Sequence, residues 1–216
     1  MIDLPALRAR LADIRARIGR ACDRSNRDPS SVRLVAISKT YSADHVRAVA
    51  EAGQVDFGEN KVQEALAKID QTTDLSLRWH LVGHLQSNKA KRAGARFDVV
   101  HSIDDVALIA KLDEAAIAAD RRVEVLVQVD LAGEATKHGA REHELLPIFE
   151  AARSAQAVRV VGLMLLPPAA DDPEESRPFF RQVREVRERL RDRGVDGSLL
   201  TELSMGMSHD FEVAIE

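Results

Sequence analysis

Apolar runs of strand length alternate with segments of helical periodicity along almost the whole chain, and this alternation restricts the fold more than any other feature. Strand-like runs are read at 32–37, 55–57, 78–82, 97–101, 123–129, 158–165 and 199–203. Helical patterns fall between them at 43–52, 61–69, 87–93, 104–119, 143–152 and 174–193. A first helix is read over 5–22, with Leu7, Leu11, Ile14 and Ile18 on one face. Ser42, Ser87 and Ser102 stand where helix caps are wanted. Repeated strand–helix units imply a parallel sheet, either doubly wound or closed as a barrel. No Pro/Gly-rich linker interrupts the 216 residues. Residues 1–216 are therefore read as a single barrel domain, with 1–25 as a helix packing on it.

The positions of the polar residues favour the barrel. Strand after strand ends in a polar cluster: Ser38-Lys39-Thr40, Gly58-Glu59-Asn60, Gly83-His84, His101-Ser102, Asp130, and Ser204 with Gly206. A (β/α)8 barrel collects functional groups at the C-terminal ends of many strands, whereas an open sheet concentrates them at one crossover. The usual nucleotide-binding glycine motifs are absent from the first turn.

Two of these clusters suggest chemistry. Leu34-Val35-Ala36-Ile37-Ser38-Lys39-Thr40 is a buried-strand pattern that ends in an amine, and Val35, Ile37 and Lys39 share a face by the period of 2. An amine at the end of an apolar face can lose its proton and attack a carbonyl, because burial disfavours the ammonium form. The plain alternative is a strand-end lysine reaching water. Leu203-Ser204-Met205-Gly206-Met207-Ser208 is a glycine-containing turn ahead of a helical pattern. It reads either as a phosphate cradle or as an ordinary turn with Ser208 capping the helix. Together, an amine after the first strand and a phosphate cradle after the seventh suit a carbonyl compound bearing a phosphate. Pyridoxal 5'-phosphate (PLP) and the substrate of a sugar-phosphate aldolase both answer that description.

Other residues carry weaker signals. Asn60 reads as a cap of the next helix or a ligand contact, and Glu59 or Asn60 as lining a pocket mouth. His80 and His84 are four apart, but on a strand that separates them by about 13 Å. No third ligand follows at zinc spacing, so no metal is expected, and His80 is read as facing the barrel interior. Lys137, in Thr136-Lys137-His138-Gly139, reads as solvated or as drawn to a ligand phosphate. The Pro167-Pro168 step stiffens the turn after the sixth strand, and the mixed charges of 181–190 mark an exposed helix face. The single cysteine, Cys22, excludes an internal disulfide framework. A net charge of −4 with well-mixed signs argues against a nucleic-acid partner. Without a long apolar span or a basic–apolar leader, the chain is read as cytoplasmic, with no membrane partner.

Four blocks match one family in order: Val35-Ala36-Ile37-Ser38-Lys39-Thr40, Phe57-Gly58-Glu59-Asn60, Trp79-His80-Leu81-Val82-Gly83-His84-Leu85-Gln86-Ser87-Asn88-Lys89, and the 203–208 segment. The sequence resembles the pyridoxal phosphate homeostasis proteins (YggS/PROSC-like), whose fold is the alanine-racemase-type PLP barrel. The resemblance implies that Lys39 carries PLP covalently as a Schiff base. It also implies that Ser204, Met205 and Gly206 supply part of the phosphate and ring site, with Asn60 and His80 lining the pocket. His84 stands where the family commonly has proline. The family continues past Ala214-Ile215 into an eighth strand with an Arg-x-Gly-Ser/Thr motif, so the polypeptide is expected to extend beyond Glu216. No second, tyrosine-bearing domain is read, and the only tyrosine, Tyr41, lies beside the lysine's own loop. The resemblance thus implies a monomeric protein that stores, delivers or buffers PLP, with PLP-dependent apoenzymes as recipients and little turnover. A racemase-like PLP enzyme is the alternative.

Overall fold

The computed structural model describes residues 2–133 and 138–216. Helix α1 (Leu4–Arg24) starts at Asp3, whose carboxylate accepts the Ala6 N–H at 3.0 Å, with Pro5 in the first turn, where its missing N–H is harmless. Seven strand–helix units follow: β1 (Ala36–Ile37), α2 (Ala43–Glu51), β2 (Asp56–Glu59), α3 (Val62–Gln71), β3 (Arg78–Leu81), α4 (Ala90–Arg96), β4 (Val99–Ile103), α5 (Val106–Ala118), β5 (Val123–Gln128), α6 (Glu142–Ala152), β6 (Val158–Met164), α7 (Arg177–Asp192), β7 (Glu202–Ser204) and α8 (Phe211–Ile215). The strands form one parallel sheet in chain order, β1 to β7. Among the described residues, no helix is long and apolar enough to cross a membrane.

The sheet is curled, and one contact proves it. His101 on β4 and Ser204 on β7 meet at 2.7 Å, although three strand spacings in a flat sheet would hold them about 14 Å apart. At the other end of the strands, Arg33 ahead of β1 lies 3.8 Å from Glu202 of β7, so the two sheet edges approach there. This is the alanine-racemase-type barrel expected from the sequence, with seven of its strands among the described residues.

Alternation along each strand separates two environments. Phe57, Trp79, Leu81, Val100, Val125, Val127, Val160 and Leu163 join the main core between sheet and helices. The inner face is divided. On β4 to β6 it carries a small apolar cluster of Val99, Leu126, Val161 and Met164. Its N-terminal end is closed by alternating charges: Arg33 and Arg78 each stand 4.0 Å from Asp56, while Arg78 and Arg159 both pair with Glu124.

Helix α1 is bound to α8 through Ile18, Ala21, Cys22 and Ile215. Arg17 adds two hydrogen bonds to Glu212, at 3.0 and 2.9 Å, and lies 4.6 Å over the Phe211 ring. The N-terminal helix therefore fixes the helix that follows the 204–206 turn.

Several boundaries differ from the sequence reading. Strand β4 runs on through Ser102, which is buried and donates to the Gly83 carbonyl at 2.8 Å instead of capping a helix. Asp105 caps α5, accepting the Leu108 N–H at 2.7 Å. Ser87 lies in a short 3-10 turn ahead of α4. Residues Gly197–Leu199 form another such turn, so β7 starts at Glu202 rather than 199.

Candidate functional site

The β1 strand is short, but the Ser38 N–H still bonds the Gly58 carbonyl at 2.9 Å. The chain then turns: the Tyr41 N–H donates to the Ser38 carbonyl at 3.1 Å, and Thr40 takes φ +70°. That is type II geometry, which favours glycine at this position. A β-branched residue there is strained. Lys39 occupies the first corner of the turn and is exposed.

What holds the turn lies behind the sheet. Glu59 is fully buried, and one of its oxygens accepts from Ser38 Oγ at 2.6 Å and from Lys68 Nζ at 2.5 Å. Lys68 Nζ also donates to the Ser38 carbonyl at 2.6 Å. The ammonium of Lys68 thus grips the peptide oxygen next to Lys39. Glu59 does not line the pocket mouth, because it shares the helix-facing side of β2 with Phe57.

Gly58 lies on the opposite face. A Cβ there would come within 2.5 Å of Ile37 Cδ1 and 3.0 Å of Val35 Cγ1, so both side chains lie across this glycine. Val35 and Ile37 share a face as expected, but the face is not buried: Ile37 is 43% exposed, and the amine at its end stands in solvent. Asn60 is exposed and does not cap α3; Lys61 holds the cap position. The Asn60 carbonyl is packed so closely against Gly83 that a Cβ on that glycine would meet it at 2.2 Å.

His80 points into the barrel interior and is only 1% exposed. Its Nε2 lies 2.9 Å from Asp56 Oδ1 and its Nδ1 2.8 Å from His101 Nε2, and His101 Nδ1 continues to Ser204 Oγ at 2.7 Å. An ionised Asp56 carboxylate accepts from His80 Nε2–H, and the tautomers of the two rings set the direction of the remaining two links. Burial first, then the positive surroundings of His80, Arg33 and Arg78, push the His101 pKa down to about 3. Burial works against the Asp56 carboxylate, but the His80 hydrogen bond and the charges of His80, Arg33 and Arg78 outweigh it and hold its pKa below the usual range.

After β7 the backbone turns at Gly206, with φ +85°. A Cβ at Gly206 would meet Ala214 Cβ at 2.8 Å and Phe211 Cα at 3.0 Å, so only glycine lets α8 approach this closely. Asp210, not Ser208, takes the position before α8, and its carboxylate accepts the Met207 N–H at 2.5 Å. Ser204, Met205 and Gly206 are all partly exposed. Lys137 and Thr136 lie outside the described residues.

The structure thus brings Ser204 and His80 into one hydrogen-bonded chain and puts Lys39 and Asn60 at the ends of the neighbouring strands β1 and β2. His101, Asp56 and Lys68 were not singled out as site residues from the sequence. The only sequence signal for His101 was its place in a polar cluster at a strand end.

This constellation, amine and glycine turn at opposite edges of a curled parallel sheet, defines a class. Residues 2–215 match the family model described as alanine racemase, N-terminal domain. A pyridoxal phosphate homeostasis protein from Aquifex aeolicus is 40% identical over 208 residues, covering 96% of this chain and 90% of that one. Its counterpart from Pseudomonas aeruginosa is 40% identical over 206 residues, covering 95% and 86%. PipY from Synechococcus elongatus, solved with PLP bound, superposes with a TM-score of 0.80 at 38% identity, across 92% of both chains. The chain belongs to the pyridoxal phosphate homeostasis protein family. D-threonine aldolase from Filomicrobium marinum, at 19% identity and a TM-score of 0.75, shares the fold and covers this chain with 57% of its own length.

The residues described above fit that cofactor. A primary amine stands exposed at the end of β1. The partly exposed turn at 204–206, with Gly206 at φ +85° next to a serine, is a backbone turn of the kind that suits phosphate oxygens.

Proposed function

We propose that this protein holds PLP on Lys39 as a Schiff base and serves PLP homeostasis by storing, delivering or buffering the cofactor, with little turnover. When bound, PLP supplies an aldehyde carbon that a lysine amine takes with loss of water. The chain's own residues do the rest. The observation that carries this reading is the turn at 38–41, where Lys39 is presented at a corner whose carbonyl is gripped by Lys68 from behind. Fixing the backbone beside an amine orients it without occupying it. On the far edge of the sheet, Ser204 and the Gly206 turn receive the phosphate, while Asn60 bounds the mouth.

Low turnover follows from what faces Lys39. His80, inside the barrel, has both ring nitrogens engaged with Asp56 and His101. Tyr41 is 56% exposed, beside His45 on the lysine's own side. Neither is disposed to shuttle protons across a bound ring, which racemisation needs. Borohydride reduction followed by peptide mapping tests the attachment, with the adduct expected on Lys39 and lost in Lys39→Ala. An adduct on another lysine refutes it. Chiral chromatography of alanine and serine incubated with the loaded protein tests the second part. Turnover of roughly 1 s⁻¹ or more would establish the racemase reading instead.

A further inference from the structure

We propose that His84, Asp104 and His138 form a binding site for a divalent transition-metal ion of the zinc, cobalt or nickel kind, separate from the cofactor residues. The three side chains come from the loops after β3, β4 and β5, at the C-terminal end of the barrel. Their ligand atoms all lie within 4.8 Å of one another. The two imidazoles are stacked, with centroids 3.5 Å apart and planes 8° from parallel. Asp104 Oδ2 stands 3.8 Å from His84 Nδ1, too far for a hydrogen bond. Donors around a tetrahedral ion with metal–nitrogen bonds near 2.05 Å sit about 3.3 Å apart. Stacked rings aim their in-plane lone pairs side by side, so one imidazole must swing out of the stack to share an ion with the other, and the exposed positions of His84 and His138 leave room for that.

The surroundings favour a cation. His84 and Asp104 line an open pocket of about 380 Å³ together with Ser87, Asp105, Glu144 and Gly139, the residue after His138, with no lysine or arginine among its described lining residues. Two imidazoles and one carboxylate select a borderline transition metal over magnesium or calcium, which require oxygen donors. Three protein ligands leave one coordination position open, as in catalytic zinc sites. The pairing considered from the sequence, His80 with His84, plays no part: His80 is committed inside the barrel.

The decisive experiment titrates Co²⁺ into the full, tag-free, chelator-treated chain and follows the visible d–d absorption, then displaces cobalt with Zn²⁺. One bound equivalent is expected, both with and without PLP, because the cofactor itself chelates metals. His138→Ala and Asp104→Asn should each weaken binding about tenfold or more, and His84→Pro should abolish it. His143→Ala, exposed on α6, should leave it unchanged. Circular dichroism identifies any variant that fails to fold; the loop substitution at His138 serves if proline at 84 does. Absence of an equivalent in the wild type, or affinity unchanged in His138→Ala and His84→Ala, overturns the site.

Discussion

Acidification should weaken this protein through one buried histidine, and the size of the effect can be worked out. His101 titrates near 6.5 when unfolded but is pushed down to about 3 in the fold. Between those values the unfolded chain binds more protons, so stability is full above about pH 6.5 and falls as pH falls. Each pKa unit is worth about 1.36 kcal/mol. Going from pH 7 to 5 should therefore remove about 2 kcal/mol through His101 alone, and reaching pH 3 about 4 kcal/mol. For a chain of this length, 2 kcal/mol corresponds to a melting-point drop of about 4–8 °C. Other groups titrate too, so the measurement is a difference. Urea unfolding of wild type and His101→Gln is compared at pH 7, 6 and 5. The variant loses hydrogen bonds to His80 and Ser204 and should be less stable at pH 7 by about 1–3 kcal/mol. Its stability should nevertheless fall less steeply with acid, by about 1.4 kcal/mol per pH unit between pH 6 and 5. Parallel curves for the two proteins would refute the reasoning, since they would mean that His101 does not resist protonation in the fold.

Other predictions concern the two turns. Lys68→Met strands the Glu59 carboxylate and frees the Ser38 carbonyl; a loss of about 3–5 kcal/mol in urea unfolding is expected, and a loss below about 1 kcal/mol counts against the grip. Thr40→Gly should relieve positive-φ strain and raise stability by about 1 kcal/mol, checked by the shift in urea midpoint. Gly206→Ala should destabilise by more than about 1 kcal/mol and weaken PLP binding, followed by absorbance titration, because α8 leaves no room for the methyl.

Much of the architecture was legible because buried parallel strands are apolar on both faces and their helices are not. The ends were less so. Ser102 looked like a cap because a serine after His101 resembles a strand exit, but β4 continues two residues past His101. Glu59 could have been read correctly from alternation alone, since it shares a face with Phe57. The interior chain was not legible. Its last link joins residues 103 apart in sequence, and only the curl of the sheet brings them within reach. Likewise, the contact of His84 with His138 depends on two loops whose paths no periodicity encodes.

The two edge strands carry one more implication. β1 and β7 span two and three residues, against five to seven in β4 to β6. The apolar cluster on the inner face belongs to the longer strands. Amide hydrogens should therefore exchange soonest near 36–38 and 202–204, while β4 to β6 persist until the whole molecule opens. The residues proposed to hold the cofactor are thus mounted on the parts that open most readily. A ligand bridging both edges would slow exchange at two places far apart in sequence together, making the pair of flickering margins behave as one seam.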